Sequence, residues 1–268
     1  MSDLEKRVSF IGAGAMGSAV LERLVHAAFV GAEAAFICDM NPDRLDAIKR
    51  RLDVRASIDN REGARFGDVI ILAVPPKQAC PVLEEIRPSL QESKILISLV
   101  ALLPTSLIEA TLRLPVGVVR VMPNIPSMVG SGFNVFCFGR HISSGDKEWV
   151  KSMLSVLGEH EEVDEDKIET YTVLSAMGPT YFLPFADELI RFGASNGLSY
   201  QEAKKAVAST IRGTSELVSK VDRPIEELKN MIGTQPLKMR EQELRSVMQE
   251  ELRKALQQLK TAKDRLSG

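Results

Sequence analysis

The stretch Val8-Ser9-Phe10-Ile11-Gly12-Ala13-Gly14-Ala15-Met16-Gly17 begins with a short apolar run typical of a buried strand and passes directly into three spaced glycines. A helical pattern follows, which places the glycines at a turn between a strand and a helix. In such a turn the first glycine permits a tight bend, the second lets a ligand approach the backbone, and the third lets the helix pack closely on the strand. The free amides and the dipole at the amino end of a helix attract phosphate groups. The stretch therefore predicts a dinucleotide-binding turn formed by Gly12, Gly14, Ala15, Met16 and Gly17.

A second strand, predicted over Ala35–Asp39, ends in a carboxylate. An acidic side chain at this place in a dinucleotide-binding fold accepts hydrogen bonds from the adenosine ribose and repels a 2′-phosphate, so Asp39 favours NAD. Arg44 lies one turn into the next predicted helix, where it could bind a 2′-phosphate or pair with a neighbouring aspartate. The sequence thus predicts NAD or NADP as the cofactor, with NAD preferred, and leaves open a glycine-rich turn that binds no nucleotide.

Short runs rich in Val and Ile alternate with helical patterns through the first part of the chain, which is typical of a parallel sheet covered on both faces. The predicted strands are Val8–Ile11, Ala35–Asp39, Val54–Ser57, Val69–Val74, Ile95–Leu99, Val116–Val121, Phe133–Phe138 and Glu161–Asp164. The predicted helices between them cover 15–29, 42–52, 77–90, 104–113 and 144–158. We therefore expect an α/β fold with a Rossmann-like doubly wound sheet.

Strand patterns stop near Asp166, and helix formers dominate the rest of the chain. We expect a dinucleotide-binding Rossmann domain over 1–164 and an all-helical substrate and dimerisation domain over 165–268. The last helix carries an apolar stripe at Leu244, Met248, Leu252, Leu256, Leu259 and Leu266. A second subunit would cover this stripe more fully than a self-contained bundle, so we expect a homodimer or higher homo-oligomer through the C-terminal helices.

The composition excludes several classes of protein. Among 268 residues, 34 Lys and Arg balance 36 Asp and Glu, which gives no electrostatic reason to expect nucleic acid or a membrane surface as a partner. The longest uncharged stretches are interrupted by Pro and Gly, so no membrane span is expected. The histidines lie far apart, and no metal site is expected. Three cysteines without paired spacing favour a reducing compartment, and we expect a cytoplasmic protein.

The chain resembles the pyrroline-5-carboxylate reductase family and, more broadly, reductases that share its amino-terminal nucleotide domain, including deazaflavin-dependent NADP reductases. The resemblance is most specific over 118–126, which reads Val-Val-Arg-Val-Met-Pro-Asn-Ile-Pro, and over the glycines of 129–132. It extends to Phe10–Gly14, to Asp59-Asn60, and to the serine- and glycine-containing stretch 174–181. It implies a Rossmann domain, an intertwined helical dimer, and reduction of a cyclic imine acid to proline. It also adds Asn60 and Pro123 to the predicted cofactor site. Independently of the resemblance, Val74, Pro75 and Lys77 close the fourth predicted strand at the carboxyl edge where such a sheet opens its ligand crevice, so they either line the cofactor site or only end the strand and start a helix.

The chain departs from the family pattern where the substrate is expected to bind. The family has serine, proline, two glycines and threonines in a loop that cradles the substrate carboxylate, whereas this chain has Gly233-Thr234-Gln235-Pro236-Leu237-Lys238-Met239. The other departures are Ala176 and Met177 for a glycine and a serine, Pro75 for a lysine, and Val221 near the place of an acidic residue. The cofactor half is thus retained and the substrate half is altered.

Hydride transfer to an imine requires mainly positioning, because the cofactor supplies the reducing equivalent. A hydroxyl or amide near the imine nitrogen and donors for the substrate carboxylate suffice. We expect Asn124, Thr180 and Thr234 to serve as catalytic side chains, although Asn124 could instead cap its loop and Thr180 could bond back to its helix. The predicted function is NAD(P)H-dependent reduction of 1-pyrroline-5-carboxylate to proline. A related reductase of another imine, a ketoacid or deazaflavin, and a non-catalytic nucleotide-binding regulator, remain the alternatives.

Overall fold

The computed structural model describes residues 6–267, and within them the chain forms two compact units. The first unit runs to Met177 and resumes at Ala255, and the second unit is Gly178–Lys254. The domain boundary predicted between residues 164 and 165 stays a prediction. The two units are described separately below.

A mostly parallel sheet forms the centre of the first unit. Its described strands are β1 (Val8–Ile11), β2 (Ala35–Cys38), β3 (Arg55–Ser57), β4 (Val69–Leu72), β5 (Ile95–Ser98), β6 (Gly117–Met122), β7 (Gly132–Phe138) and β8 (Gly158–Glu162). They lie in the order β3-β2-β1-β4-β5-β6-β7-β8, and β7 runs antiparallel to β6. The order reverses beside β1, which is where a doubly wound sheet opens its ligand crevice. This confirms the predicted α/β fold.

The helices of the first unit cover both faces of the sheet. They are α1 (Ala15–His26), α2 (Pro42–Leu52), α3 (Asn60–Phe66), α4 (Pro76–Ile86), α5 (Thr105–Leu112), α6 (Ser144–Leu157) and α7 (Ile168–Tyr171). On one face, α1, α2 and α6 pack on strand residues such as Phe10 and Ile71. On the other face, α4 and α5 pack on residues such as Ile70 and Leu72. Neighbouring residues of β4 thus point into opposite cores, which explains why the strand sequences are apolar throughout.

Several element ends differ from the prediction for local reasons. α1 ends at His26 because Ala28 adopts a left-handed backbone with φ of 55°. α4 ends at Ile86, and Pro88 lies in the tighter 3-10 turn Arg87–Ser89 that follows. β8 begins at Gly158 rather than at Glu161.

Helix α3 was not predicted, because it is short and contains a glycine. A Cβ atom at Gly63 would lie 2.6 Å from the Cys38 sulfur, so the glycine lets the helix approach β2. The side chain of Asp59 caps the helix by accepting a hydrogen bond from the Arg61 amide. A residue that weakens an isolated helix is therefore required here by packing.

The second unit is helical, as expected for the back of the chain. It contains α8 (Pro179–Ser195), α9 (Tyr200–Lys220), α10 (Ile225–Asn230) and the first part of α11 (Glu241–Ser267). α9 begins with a capping box, in which Ser199 and Glu202 satisfy each other's backbone amides. α8 and α9 cross closely at Gly193, where a Cβ atom would lie 2.9 Å from the Ala203 Cβ.

Candidate active site

The glycine turn has the geometry that its spacing predicts. Gly12 adopts φ of 107°, and a Cβ atom there would lie 2.5 Å from the Ala73 carbonyl oxygen. A Cβ atom at Gly17 would lie 2.3 Å from the Gly12 carbonyl oxygen, so α1 packs directly against the turn. Gly14 differs, because no heavy atom other than those of its chain neighbours lies within 4 Å of the place that its Cβ would take. The turn therefore leaves open space at Gly14, where a diphosphate fits against the amino end of α1.

A cavity of about 760 Å³ opens at the carboxyl ends of the strands beside this turn. Of the predicted cofactor residues it brings together Gly12, Gly14, Ala15, Met16, Asp39, Arg44, Asn60, Val74 and Pro75. The other three do not line it. Gly17 is buried beneath the turn, Lys77 is exposed on α4, and Pro123 is buried after β6.

Sequence reasoning missed part of the cavity wall. The additional lining residues are Met40, Asn41, Ala73, Pro76, Gln78, Val82, Leu99, Val100 and Ala101. Most of them directly follow β2, β4 or β5. Because carboxyl ends of parallel strands share one edge of a sheet, the predicted strand ends contained a signal that would have found them.

Asp39 connects the second strand to the glycine turn. Its carboxylate accepts a hydrogen bond from the Ala13 amide at 2.7 Å and another from the Asn41 amide at 2.9 Å. The Arg44 guanidinium lies 3.7 Å from the same carboxylate and is largely exposed. The carboxylate is thus fixed at the cavity rim, and Arg44 is paired with it. This arrangement places a carboxylate and its paired guanidinium together at the rim of the cavity.

Asn60 begins α3, and its side chain is held from the neighbouring helix. The Asn60 amide nitrogen donates to the Glu85 carboxylate at 3.0 Å. The residue is buried and lines the cavity. A carboxylate partner on α4 therefore fixes how the Asn60 amide faces the cavity.

Asn124 lies in the loop after β6 and cross-links three segments of the first unit. Its carbonyl oxygen accepts from the Phe133 amide at 3.1 Å, and its amide donates to the Ser175 hydroxyl at 3.1 Å. The Ser175 hydroxyl in turn donates to the Phe133 carbonyl oxygen at 2.9 Å. The Asn124 side chain is nearly buried. Its hydrogen bonds fix the loop to the start of β7 and to the turn that contains Ser175.

Arg120, four residues before Asn124, is a fully buried arginine on β6. Its guanidinium donates to Glu169 at 2.9 Å and to Glu165 at 3.4 Å, and Glu169 also accepts from Lys263 at 2.9 Å. Burial acts to raise the pKa of Glu169, but the hydrogen bonds from Lys263 and Arg120 outweigh it and hold that pKa below its ordinary value. The four side chains form a balanced charge cluster, which is how buried charges are tolerated.

The two other predicted catalytic residues lie in the second unit. Thr180 is exposed in the first turn of α8, and Thr234 is exposed in the loop between α10 and α11. In that loop the Gln235 side-chain amide donates to the Lys229 carbonyl oxygen at 2.8 Å and to the Ile232 carbonyl oxygen at 3.1 Å. Gln235 therefore caps the carboxyl end of α10. The altered loop has an internal brace in place of paired glycines.

The second unit exposes much apolar surface. On α8 the exposed side chains include Phe182, Phe185, Leu189 and Phe192, which recur at helical spacing. Within the second unit the predicted α11 stripe is half-buried at Leu244 and Leu252 and exposed at Met248, and Leu266 lies among the residues whose side chains are not described. An apolar surface of this extent marks a protein interface.

Two cysteines lie beside the site and carry no sign of reactivity. Cys38 and Cys137 are buried in strands, and burial raises the pKa of both thiols to about 12. A thiol that stays protonated is a poor nucleophile. These residues therefore contribute to packing, as their apolar surroundings predict.

Comparisons with known proteins agree with this geometry. A family model described as NADP oxidoreductase coenzyme F420-dependent matches residues 7–102, and one described as pyrroline-5-carboxylate reductase dimerisation matches residues 165–265. Pyrroline-5-carboxylate reductase 1 of Bacillus subtilis is 28% identical over 85% of this chain and 77% of its own length. The corresponding enzyme of Methanosarcina acetivorans is 29% identical over 85% and 84% of the two chains. Along most of its length the chain is similar to pyrroline-5-carboxylate reductases.

Solved structures of the family share the fold along almost the whole chain. The crystal structure of the Plasmodium falciparum pyrroline carboxylate reductase with NADP bound superposes with a TM-score of 0.84, at 29% identity and over 99% of both chains. The structure of the Coxiella burnetii pyrroline-5-carboxylate reductase superposes with a TM-score of 0.75, at 28% identity. The protein is an NAD(P)-dependent oxidoreductase, and its C-terminal region forms a homo-oligomer. None of the described helices is long and apolar enough to cross a membrane.

Proposed function

We propose that the protein reduces 1-pyrroline-5-carboxylate to proline by transfer of a hydride to the imine carbon. The observation that carries this proposal is the open glycine cradle at Gly14 beside a cavity large enough for a dinucleotide. The relatives that the chain matches over most of its length carry this activity in their names. When bound, the cofactor supplies the hydride, and the protein fixes distance and orientation.

We propose that the residues predicted for the cofactor site act in three groups. Gly12, Gly14, Ala15, Met16 and Gly17 form the turn that would hold the diphosphate. Asp39 and Arg44 would face the adenosine ribose, and the fixed carboxylate of Asp39 favours NADH over NADPH. Asn60, Val74, Pro75, Lys77 and Pro123 complete the proposed cofactor site.

For the substrate, we propose that Thr180 and Thr234 bind the imine acid through their hydroxyls. A hydroxyl can accept a hydrogen bond from a protonated imine nitrogen or donate one to a carboxylate. Asn124 acts as a positioning residue in this proposal, because its amide is already engaged with Phe133 and Ser175. The protonated imine is electrophilic, so the site needs no activated nucleophile.

The direct test mixes the purified full-length protein with NADH or NADPH and pyrroline-5-carboxylate. Loss of the reduced nicotinamide's absorbance together with formation of proline supports the proposal. Absence of turnover with both cofactors contradicts it. We further propose a cytoplasmic location, in keeping with the three free cysteines.

The loop 233–239 favours a second candidate, which is reduction of another imine, a ketoacid or deazaflavin. Gln235 folds back onto the carbonyls of Lys229 and Ile232, and Pro236 follows it. Proline fixes φ and removes a backbone donor, whereas glycine leaves the backbone free. This loop is therefore more restricted than a glycine-rich loop. Turnover of one of these substrates, with none of pyrroline-5-carboxylate, would select the second candidate.

A further inference from the structure

The ion pair between Glu169 and Lys263 connects two segments of the first unit, and each segment lies a few residues from a place where the chain crosses between its compact units. The chain leaves the first unit after Met177, shortly beyond Glu169, and returns to it at Ala255, shortly before Lys263. Both charged residues belong to the first unit. The Lys263 ammonium lies 2.9 Å from one oxygen of the Glu169 carboxylate, and Arg120 lies 2.9 Å from the other oxygen.

The surroundings distinguish this pair from the other lysine pairs on α11. Glu169 is only 3% exposed, and the Lys263 side chain is 22% exposed. Lys254, by contrast, pairs with Glu250 and Glu251 where all the side chains are more than half exposed. Exposed ion pairs contribute little to stability. Loss of one partner from a buried ion pair, however, leaves an uncompensated buried charge, which is destabilising. The Lys263–Glu169 pair is therefore buried enough to restrict the movement of α7.

The constraint at Glu169 extends to Ser175 through one continuous segment. Glu169 lies on α7, which continues without a break into the π-helical turn Thr172–Ala176. Wide turns of this kind are frequently found at functional sites. Two hydrogen bonds hold this segment to β6 and to the loop that follows β6. Arg120 of β6 donates to Glu169, and Asn124 of the loop donates to Ser175. Movement at Glu169 would therefore be transmitted to the Asn124 loop.

We propose that Lys263 is a positioning residue that, by pairing with Glu169, holds the 168–176 segment and through it the Asn124 loop in register for hydride transfer. The inference rests on the proposed function, in which Asn124 positions the reacting groups. Among the described residues, none of the charge cluster lines the dinucleotide cavity. Loss of the Lys263 charge should consequently lower turnover and leave cofactor affinity unchanged.

The experiment compares the full-length protein with Lys263→Met, Lys263→Arg and the matched control Lys260→Met, which removes an exposed lysine from the same helix. Hydrogen exchange of the amides of 170–177 is measured together with kcat and the dissociation constant of the cofactor. For Lys263→Met we expect faster exchange confined to that segment and a kcat about tenfold lower, a change typical of positional coupling. The cofactor dissociation constant should stay within about twofold of wild type. Lys263→Arg should restore both exchange and kcat, because it keeps the charge, and Lys260→Met should change neither.

Unchanged exchange or unchanged kcat in Lys263→Met overturns the proposal. Faster exchange throughout the first unit, or an equal loss in Lys260→Met, also overturns it, because both show a general loss of stability. Exchange needs no substrate. If wild type fails to reduce pyrroline-5-carboxylate, the proposed function fails, and the exchange of 170–177 alone then decides whether Lys263 holds the segment.

Discussion

The Asp39 carboxylate accepts the Ala13 backbone amide at 2.7 Å, so the residue that ends the second strand also holds the glycine turn. This contact gives Asp39 two roles at once. In the proposed function its charge would discriminate between cofactors, and its hydrogen bond fixes the turn that would hold the diphosphate. Substitutions at Asp39 are therefore expected to change both cofactor choice and turnover.

Asp39→Ser should shift cofactor preference toward NADPH and lower activity with both cofactors. The change removes the charge that repels a 2′-phosphate and releases Arg44 from its pairing at 3.7 Å. We expect the ratio of kcat/KM for NADPH to that for NADH to rise about tenfold, since one charge contact near a protein surface is worth on the order of 1 kcal/mol or more. Steady-state kinetics with both cofactors measure the ratio. Asp43→Ser on α2 is the control, and a ratio that does not change at Asp39 contradicts its role at the ribose.

Gly14→Val should abolish cofactor binding without unfolding the protein. Apart from its chain neighbours, no heavy atom lies within 4 Å of the added Cβ, so the side chain enters open space, where it would block the diphosphate. We expect the cofactor dissociation constant to rise at least about tenfold, because backbone amides lose their phosphate contacts. Calorimetric titration and thermal melting measure binding and stability. Gly145→Val, which also adds a side chain to open space, is the control and should bind the cofactor normally. Wild-type cofactor affinity in Gly14→Val would contradict the proposed diphosphate site at Gly14.

Gln235→Ala should raise the KM for the imine substrate while leaving cofactor affinity intact. The change removes two hydrogen bonds that cap α10 and brace the loop containing Thr234. Loss of such a cap costs about 1 kcal/mol, so a KM increase of about fivefold is expected. Initial-rate measurements at saturating cofactor determine it. Gln249→Ala on the exposed face of α11 serves as the control, and an unchanged KM at Gln235 would show that the brace does not affect substrate binding.

Acid should weaken the fold through Glu169. Because the pKa of Glu169 is held below its ordinary value in the folded state, its ionised form stabilises the protein above the pKa of the unfolded chain. That stabilisation is lost as the pH falls through the folded-state pKa. We expect the free energy of unfolding to decrease below about pH 4.5, with a smaller slope in Glu169→Gln than in wild type. Denaturant titrations at several pH values test this, with the exposed Glu92→Gln as control. Equal slopes in wild type and Glu169→Gln would contradict the cluster's role.

The apolar face of α8 should be part of the subunit interface. Phe192 is 64% exposed and lies on the same face as Phe185 and Leu189. Phe192→Glu places a charge on that face, and a buried unpaired charge is costly. We expect the variant to dissociate to a smaller species at low micromolar concentration, as measured by sedimentation or light scattering. Arg191→Glu, beside it on the polar face, should keep the wild-type assembly, and wild-type mass in Phe192→Glu would place the interface elsewhere.

Local patterns in the amino-acid sequence were enough to predict the doubly wound sheet and the edge of it at which the cofactor is expected. Both follow from local patterns, namely apolar strands, glycines at fixed spacing and an acidic residue at the end of the second strand. These features act over a few residues, so their consequences can be predicted without knowing the rest of the fold. Helix α3 was missed because Gly63 is required by contact with Cys38, which is distant in the sequence.

The contacts of the polar side chains, by contrast, depend on how distant segments pack together. Asn124 reaches Ser175, Arg120 and Lys263 meet at Glu169, and Gln235 turns back onto α10. Arg120, Glu169 and Lys263 are widely separated in the chain and follow no periodic pattern. A buried charge needs an oppositely charged partner to offset its cost of desolvation. This requirement does not show which residue in the sequence will be the partner. The partner is set by the packing of β6, α7 and α11, and so it is visible only once the chain has folded.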